Sequence, residues 1–201
     1  MSECLEEIKK GDKTLRIYIE DSPQDPRCLD YTDGNSGTMI CFHNNYNLGD
    51  LMPSINKGSF DNWEELRECL VKEYKAINLM PLYLFDHSGL SISTTPFNCN
   101  WDSGQIGFIY TTKERIKELG IEKKYIKENL SAEVKIYNDY LEGSVYGFEL
   151  VKNVKVTIKK TYSKNRIEEN TTTEEEDLDY CWGFYGEEGI KQIKEDTGFL
   201  E

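Results

Sequence analysis

The chain has 201 residues, 37 acidic and 24 basic, with a net charge of −13; 38% of it is hydrophobic and 12% aromatic. With 13 Tyr, 8 Phe and 3 Trp to fill a core, this length predicts one domain over residues 1–201 rather than a disordered chain. The negative balance argues against direct binding to nucleic acid and against an anionic membrane surface, because both need clustered lysine and arginine.

No apolar run approaches the ~18 residues of a membrane span. The opening MSECLEEIKKGD lacks the apolar stretch of a signal peptide. Six cysteines, Cys4, Cys28, Cys41, Cys69, Cys99 and Cys181, are dispersed without paired spacing. Together these features predict reduced thiols and a cytoplasmic setting.

In chain order, residues 2–10 read as a short helix stopped by Gly11. Leu15, Ile17 and Ile19 alternate with Arg16, Tyr18 and Glu20, the period of a strand. Residues 21–37, rich in Pro, Gly, Asp and Asn, read as loop. Residues 38–43 form a short apolar strand ending at His43. Residues 61–78 carry Trp63, Leu66, Leu70, Tyr74 and Ile77 at helical spacing. Asp61, Glu65 and Glu68 would share an exposed acidic face of that helix.

The densest text is LMPLYLFDHSGLSISTTPFNCNWDSGQIGFIY, residues 79–110. It reads as strand, tight turn at 86–89, strand, loop and strand. Thr111-Thr112-Lys113-Glu114 has the S/T-x-x-E form of a capping box, and Gly120 closes the short helix it opens. Residues 123–141 set Ile126, Leu130, Val134, Tyr137 and Leu141 on one stripe, ended by Gly143. Strands are expected at 145–150, 154–162 and 180–186, and a last short helix at 187–197. Between them, 163–179 holds Glu168, Glu169, Glu174, Glu175, Glu176, Asp177 and Asp179 and reads as a mobile acidic loop. The predicted class is α+β: a mainly antiparallel sheet with two or three helices packed on one face.

Two kinds of site follow from these residues. The only histidines, His43 and His87, lie beside the most polar bends, together with Asp86, Cys99 and Asp102. That set contains the parts of a thiol nucleophile with its base, or of nitrogen and oxygen ligands for a divalent ion. Its spacing matches no known nucleophile or ligand motif, so neither a catalytic residue nor a metal or other cofactor is assigned. The plainer expectation is that Asp86 and Ser88 form an Asx or hydroxyl turn, with His87 a satisfied turn residue. The second site is acidic: Asp61, Glu65 and Glu68 on the helix, and Glu174, Glu175, Glu176, Asp177 and Asp179 in the tract. Carboxylates at such spacing suit a partner protein with a basic surface.

DHSGLSISTTPFNCNWDSGQIGFIY, with MICFHNNYNLGD before it and CWGFYG after it, resembles a family of small proteins carried by phages and other mobile elements of bacteria. The resemblance covers most of residues 15–186. It implies an accessory role on a mobile element and carries over no activity and no functional residues. Joined to the acidic balance, it leads to the expectation of a protein that binds and modulates or inhibits a host protein. A defence nuclease or restriction system is the partner class considered. The alternative is a small cytosolic hydrolase or metal-dependent enzyme built on the His43, Asp86, His87, Cys99 and Asp102 cluster.

Overall fold

The computed structural model describes residues 3–28, 34–50, 52, 54–99, 101–162 and 166–200. It divides into two compact units, residues 1–23 with 143–201, and residues 24–142. The second unit is inserted in the middle of the first.

The first unit is a four-stranded antiparallel sheet and one helix. Its strands are β1 (Cys4–Lys10), β2 (Lys13–Ile19), β7 (Val145–Tyr162) and β8 (Arg166–Tyr185), in spatial order β1-β2-β7-β8. The short helix expected over 2–10 is instead β1. A seven-residue segment with only Leu5 and Ile8 to bury is too short to stand as a helix. The two-residue turn Gly11-Asp12, with Gly11 at φ 66°, folds it back onto β2. Leu15 and Ile17 of β2 and Phe148 and Leu150 of β7 point to one face. There they pack under Ile193 and Phe199, from α4 (Gly186–Asp196) and the residues just after it. Leu15, Ile17 and Ile193 are fully buried, each worth about 1.5–3 kcal/mol of transfer from water.

The largest departure from the sequence reading is in the acidic tract. Residues 166–179 are strand, not loop; residues 163–165 lie outside the described residues. Self-repulsion does not open the tract because β7 lies alongside it and supplies lysine. Lys159 Nζ sits 2.7 Å from Glu169, Lys152 pairs in register with Glu176 and Lys160 with Glu168. Arg16 of β2 grips Glu175 through both terminal nitrogens, at 2.9 and 2.5 Å. Thr157 and Thr171 share a 2.9 Å hydroxyl hydrogen bond across the pair. Opposite charges and threonine pairs facing each other across strands each favour pairing.

The second unit is also a four-stranded antiparallel sheet. It comprises β3 (Thr38–Cys41), β4 (Ile77–Asp86), β5 (Leu90–Ser93) and β6 (Ser103–Thr111), in order β3-β6-β4-β5. Two helices, α2 (Lys113–Glu118) and α3 (Ile126–Leu141), share one face, where Ile116, Ile126, Leu130, Val134 and Tyr137 meet Met39, Leu82, Leu84, Ile92 and Ile109. On the other face α1 (Trp63–Lys72) lays Leu66 and Leu70 on Ile40, Phe108 and Tyr110. Covered on both sides, β6 reads as the near-continuous apolar run IGFIY. Gly107 is required there: a Cβ would stand 1.7 Å from the Ile40 carbonyl oxygen of β3.

α1 is shorter than the periodicity suggests. Lys75 and Asn78 adopt left-handed φ of 56° and 48°, so the apolar spacing continues through a turn and into the irregular start of β4. The cap of α2 is displaced by one residue from the expected box. Thr112, not Thr111, accepts the Arg115 N–H at 3.1 Å, while Thr111 is buried and donates to Ser36 O at 2.5 Å.

Candidate functional sites

β2 runs beside β7 only as far as Lys152, which pairs with Lys13. Beyond it, residues 153–162 and their β8 partners continue as a two-stranded antiparallel ribbon. Ten more residues at ~3.3 Å each extend about 33 Å. β8 is the free edge of its sheet, and 167–183 are exposed throughout. Seven of the twelve residues from Glu168 to Asp179 are acidic. Carboxylates along an edge strand also prevent it from pairing with the edge of another sheet.

At the base of the ribbon Trp182 lies over Gly147. A Cβ there would meet the indole at 2.0 Å. Tyr18 packs against the same indole at 6.1 Å and donates its hydroxyl to Glu149 at 2.9 Å. Burial, and after it that bond, pushes the Tyr18 phenol up to about 12. Trp182 and Tyr180 remain 39% and 71% exposed. The aromatic text at 180–186 is therefore partly an outer face, not wholly core.

The other half of the expected acidic surface is engaged within its own helix. Asn62 caps α1 by accepting Glu65 N–H at 3.0 Å, and Glu65 accepts Asp61 N–H at 2.9 Å in return. Glu68 takes Lys72 at 2.6 Å, and that hydrogen bond holds its carboxyl below the ordinary range. Glu65 and Glu68 thus steady the helix, to which Asp61 contributes its backbone N–H.

The second unit assembles most of the polar cluster. β4 ends at Asp86, and Asp86 N–H donates to Asp102 O at 2.8 Å, which brings the 99–102 loop beside the 86–89 turn. The Asp102 carboxylate lies 3.3 Å from His87 Nδ1 and accepts from Cys99 Sγ at 3.7 Å, through the same oxygen. His43 and Asp86 line one cleft of about 400 Å³ with Asp102, while His87 and Cys99 are not among its lining residues. His43 Nδ1 accepts Asn45 N–H at 3.2 Å, and its ring stacks on Tyr46.

These contacts fix what the cluster can do. Activation of a thiol needs the imidazole between thiol and carboxylate. Here the carboxylate stands between, so the Cys99 thiol points at Asp102 rather than at the His87 imidazole. Among the described residues, no group of three or more His, Cys, Asp or Glu is arranged to hold a metal ion. The contacts instead tie a turn to a loop, with Ser103 Oγ donating to Cys99 O as a further stitch.

Two features stand out only in the structure. One is Trp101, 97% exposed at the rim of the cleft. The other is Arg27, in what reads as loop. Its side chain is 1% exposed. It is bidentate to Asp50 at 2.8 and 2.6 Å, reaches Glu133 of α3 at 2.9 Å and donates to Gly37 O at 2.7 Å. Burial pulls its pKa down, but Asp50 foremost, with Glu133, holds it above the ordinary value. Glu133 also accepts Ser36 N–H and Oγ–H, at 2.6 and 2.5 Å, and Asp50 accepts Met39 N–H at 2.9 Å. Long-range ion pairing of this kind leaves no local sequence period.

Compared with family models, curated proteins and solved structures, the chain has no match.

Proposed function

We propose that this chain is an accessory protein of a phage or other mobile element that binds a host protein with a basic surface and modulates or inhibits it. The acidic free edge of β8 is the contact. A defence nuclease or restriction enzyme is the proposed class of partner, since such a protein carries a cationic surface for nucleic acid, one charge per ~1.7 Å of duplex. The observation that supports this reading is the concentration of carboxylate on one projecting edge: the first unit holds 19 acidic against 12 basic residues, and seven of the 19 fall within 168–179. On α1, Glu65 accepts the Asp61 N–H and Glu68 pairs with Lys72, and this face is placed second to the β8 edge.

The test is a binding series against a panel of such nucleases from 50 to ~300 mM salt. The wild type is compared with E174K/E176K/D177K/D179K on β8 and E64K/E68K on α1. The β8 variant is expected to weaken binding about tenfold or more at low salt through loss of steering and complementarity. The α1 variant is expected to leave binding unchanged. Absence of binding at every salt concentration, or equal loss in both variants, overturns the reading.

A further inference from the structure

Three depressions on the second unit, of about 650, 400 and 220 Å³, all have Phe42 and Lys57 in their linings and so adjoin as a trough. Exposed aromatic rings line its two larger parts. Tyr46, 38% exposed, lines one, and Trp101, 97% exposed, the other. Two stacked pairs line the trough, His43 on Tyr46 at 4.9 Å and 19°, and Phe42 on Trp63 at 6.3 Å and 15°.

Of the charged residues along the trough, Arg27 and Asp50 hold each other, Asp102 lies 3.3 Å from the His87 imidazole, and Lys57 donates to the neutral Asn44 at 3.1 Å. What is left to meet a ligand is mixed in sense. Asn56 spends its oxygen on Gly58 N–H, which leaves its NH₂. Gln105 spends its NH₂ on Gly107 O, which leaves its oxygen. Asp86 adds a carboxylate. An excess of phosphate charge would meet Asp86 and Asp102 with only Lys57 to offset them. A purely apolar chain would strand the amides, since buried polar groups without partners are costly. Paired hydroxyls, which donate and accept at once, satisfy a mixed set of this kind, and aromatic faces in both larger parts suit flat C–H surfaces.

We propose that this trough binds a neutral oligosaccharide, with a sugar ring stacked on Trp101 and hydroxyls held by Asp86, Gln105 and Asn56. The site is independent of the β8 edge.

The full-length protein is titrated with maltotetraose, cellotetraose and tetra-N-acetylchitotetraose, with saturation-transfer NMR and tryptophan emission as readouts. Tetra-arginine is the fourth probe. One of the three saccharides is expected to bind saturably with a Kd of roughly 0.01–1 mM. W101A is expected to weaken it about tenfold and D86A several-fold, while W182F has no effect. The exposure of Trp101 makes W101A compatible with folding, and a matched thermal melt checks this. No binding by any saccharide overturns the proposal, as does saccharide binding that W101A leaves intact. Trp101-dependent binding of tetra-arginine alone also overturns it, by assigning the trough to a cationic peptide.

Discussion

Arg27 offers the sharpest test of how the second unit holds together. In R27M the methylene stem is largely kept and the guanidinium is lost. Asp50 and Glu133, with side chains 13% and 14% exposed, then remain as two buried carboxylates with no cation. Removing one partner of a buried ion pair costs about 3–5 kcal/mol. The backbone donors at Ser36, Gly37 and Met39 stay in place, so the lower half of that range is expected. The loss is read from urea unfolding and from hydrogen exchange of amides at Met39, Leu130 and Val134, which separate the second unit from the first. R27M/D50N/E133Q removes the orphaned charge while keeping acceptors for those donors, and is expected to recover at least half of the loss. A cost below ~1 kcal/mol for R27M, or no recovery in the triple variant, refutes the view that charge balance, not packing, fastens Arg27 to α3.

Three further outcomes are expected. Arg16 hydrogen bonds hold the Glu7 and Glu175 carboxyls below their usual 4.5. A depressed folded pKa means their stabilisation is in force above about 4.5 and fades as pH falls through the folded values. NMR titration of wild type against R16Q is expected to show both midpoints rising in the variant, and unchanged midpoints contradict the assignment. Burial, with Asp50 nearby, pushes the Cys41 thiol up to about 12. It should therefore alkylate at pH 8 far more slowly than exposed Cys4 and Cys181, and comparable rates by mass spectrometry would refute this. G147V drives a branched side chain into the Trp182 ring, so Trp182 emission is expected to shift red and the unit to lose about 1–3 kcal/mol. Unchanged emission would show that the indole does not rest there.

Elements whose apolar residues repeat with one period were legible from sequence. β2 and α3 show their burial directly in the alternation of Leu15 and Ile17 and in the Ile126–Tyr137 stripe. The α+β class follows from them. β1 and the outgoing ribbon strand were not legible, because both are held by what lies beside them: β1 by a two-residue turn, and 166–179 by lysines and Arg16 from other strands. Charge density read along the chain suggested repulsion, and only pairing across the chain shows how much of it is offset. In the polar cluster, proximity was legible and order was not. His87, Cys99 and Asp102 do meet, but which atom stands in the middle depends on the Asp86–Asp102 backbone bond. Arg27 has no neighbours in sequence to mark it, and Trp101 lies within the motif-rich stretch 79–110 without a period that singles it out.

The nesting of one unit inside the other sets a schedule for synthesis. Glu20 N–H and Val145 O are 2.9 Å apart, so the strands flanking residues 24–142 are already positioned as a hairpin would place them. The hairpin β1–β2 leaves the ribosome early and must wait for β7, some 126 residues later. At ~5–20 residues per second that delay is roughly 6–25 s. Throughout it, Leu15 and Ile17 have no strand to cover them, while the inserted unit has all its own partners within reach. The guest can thus finish before its host begins to close. Replacing the guest with a short turn is the natural way to obtain the host sheet alone.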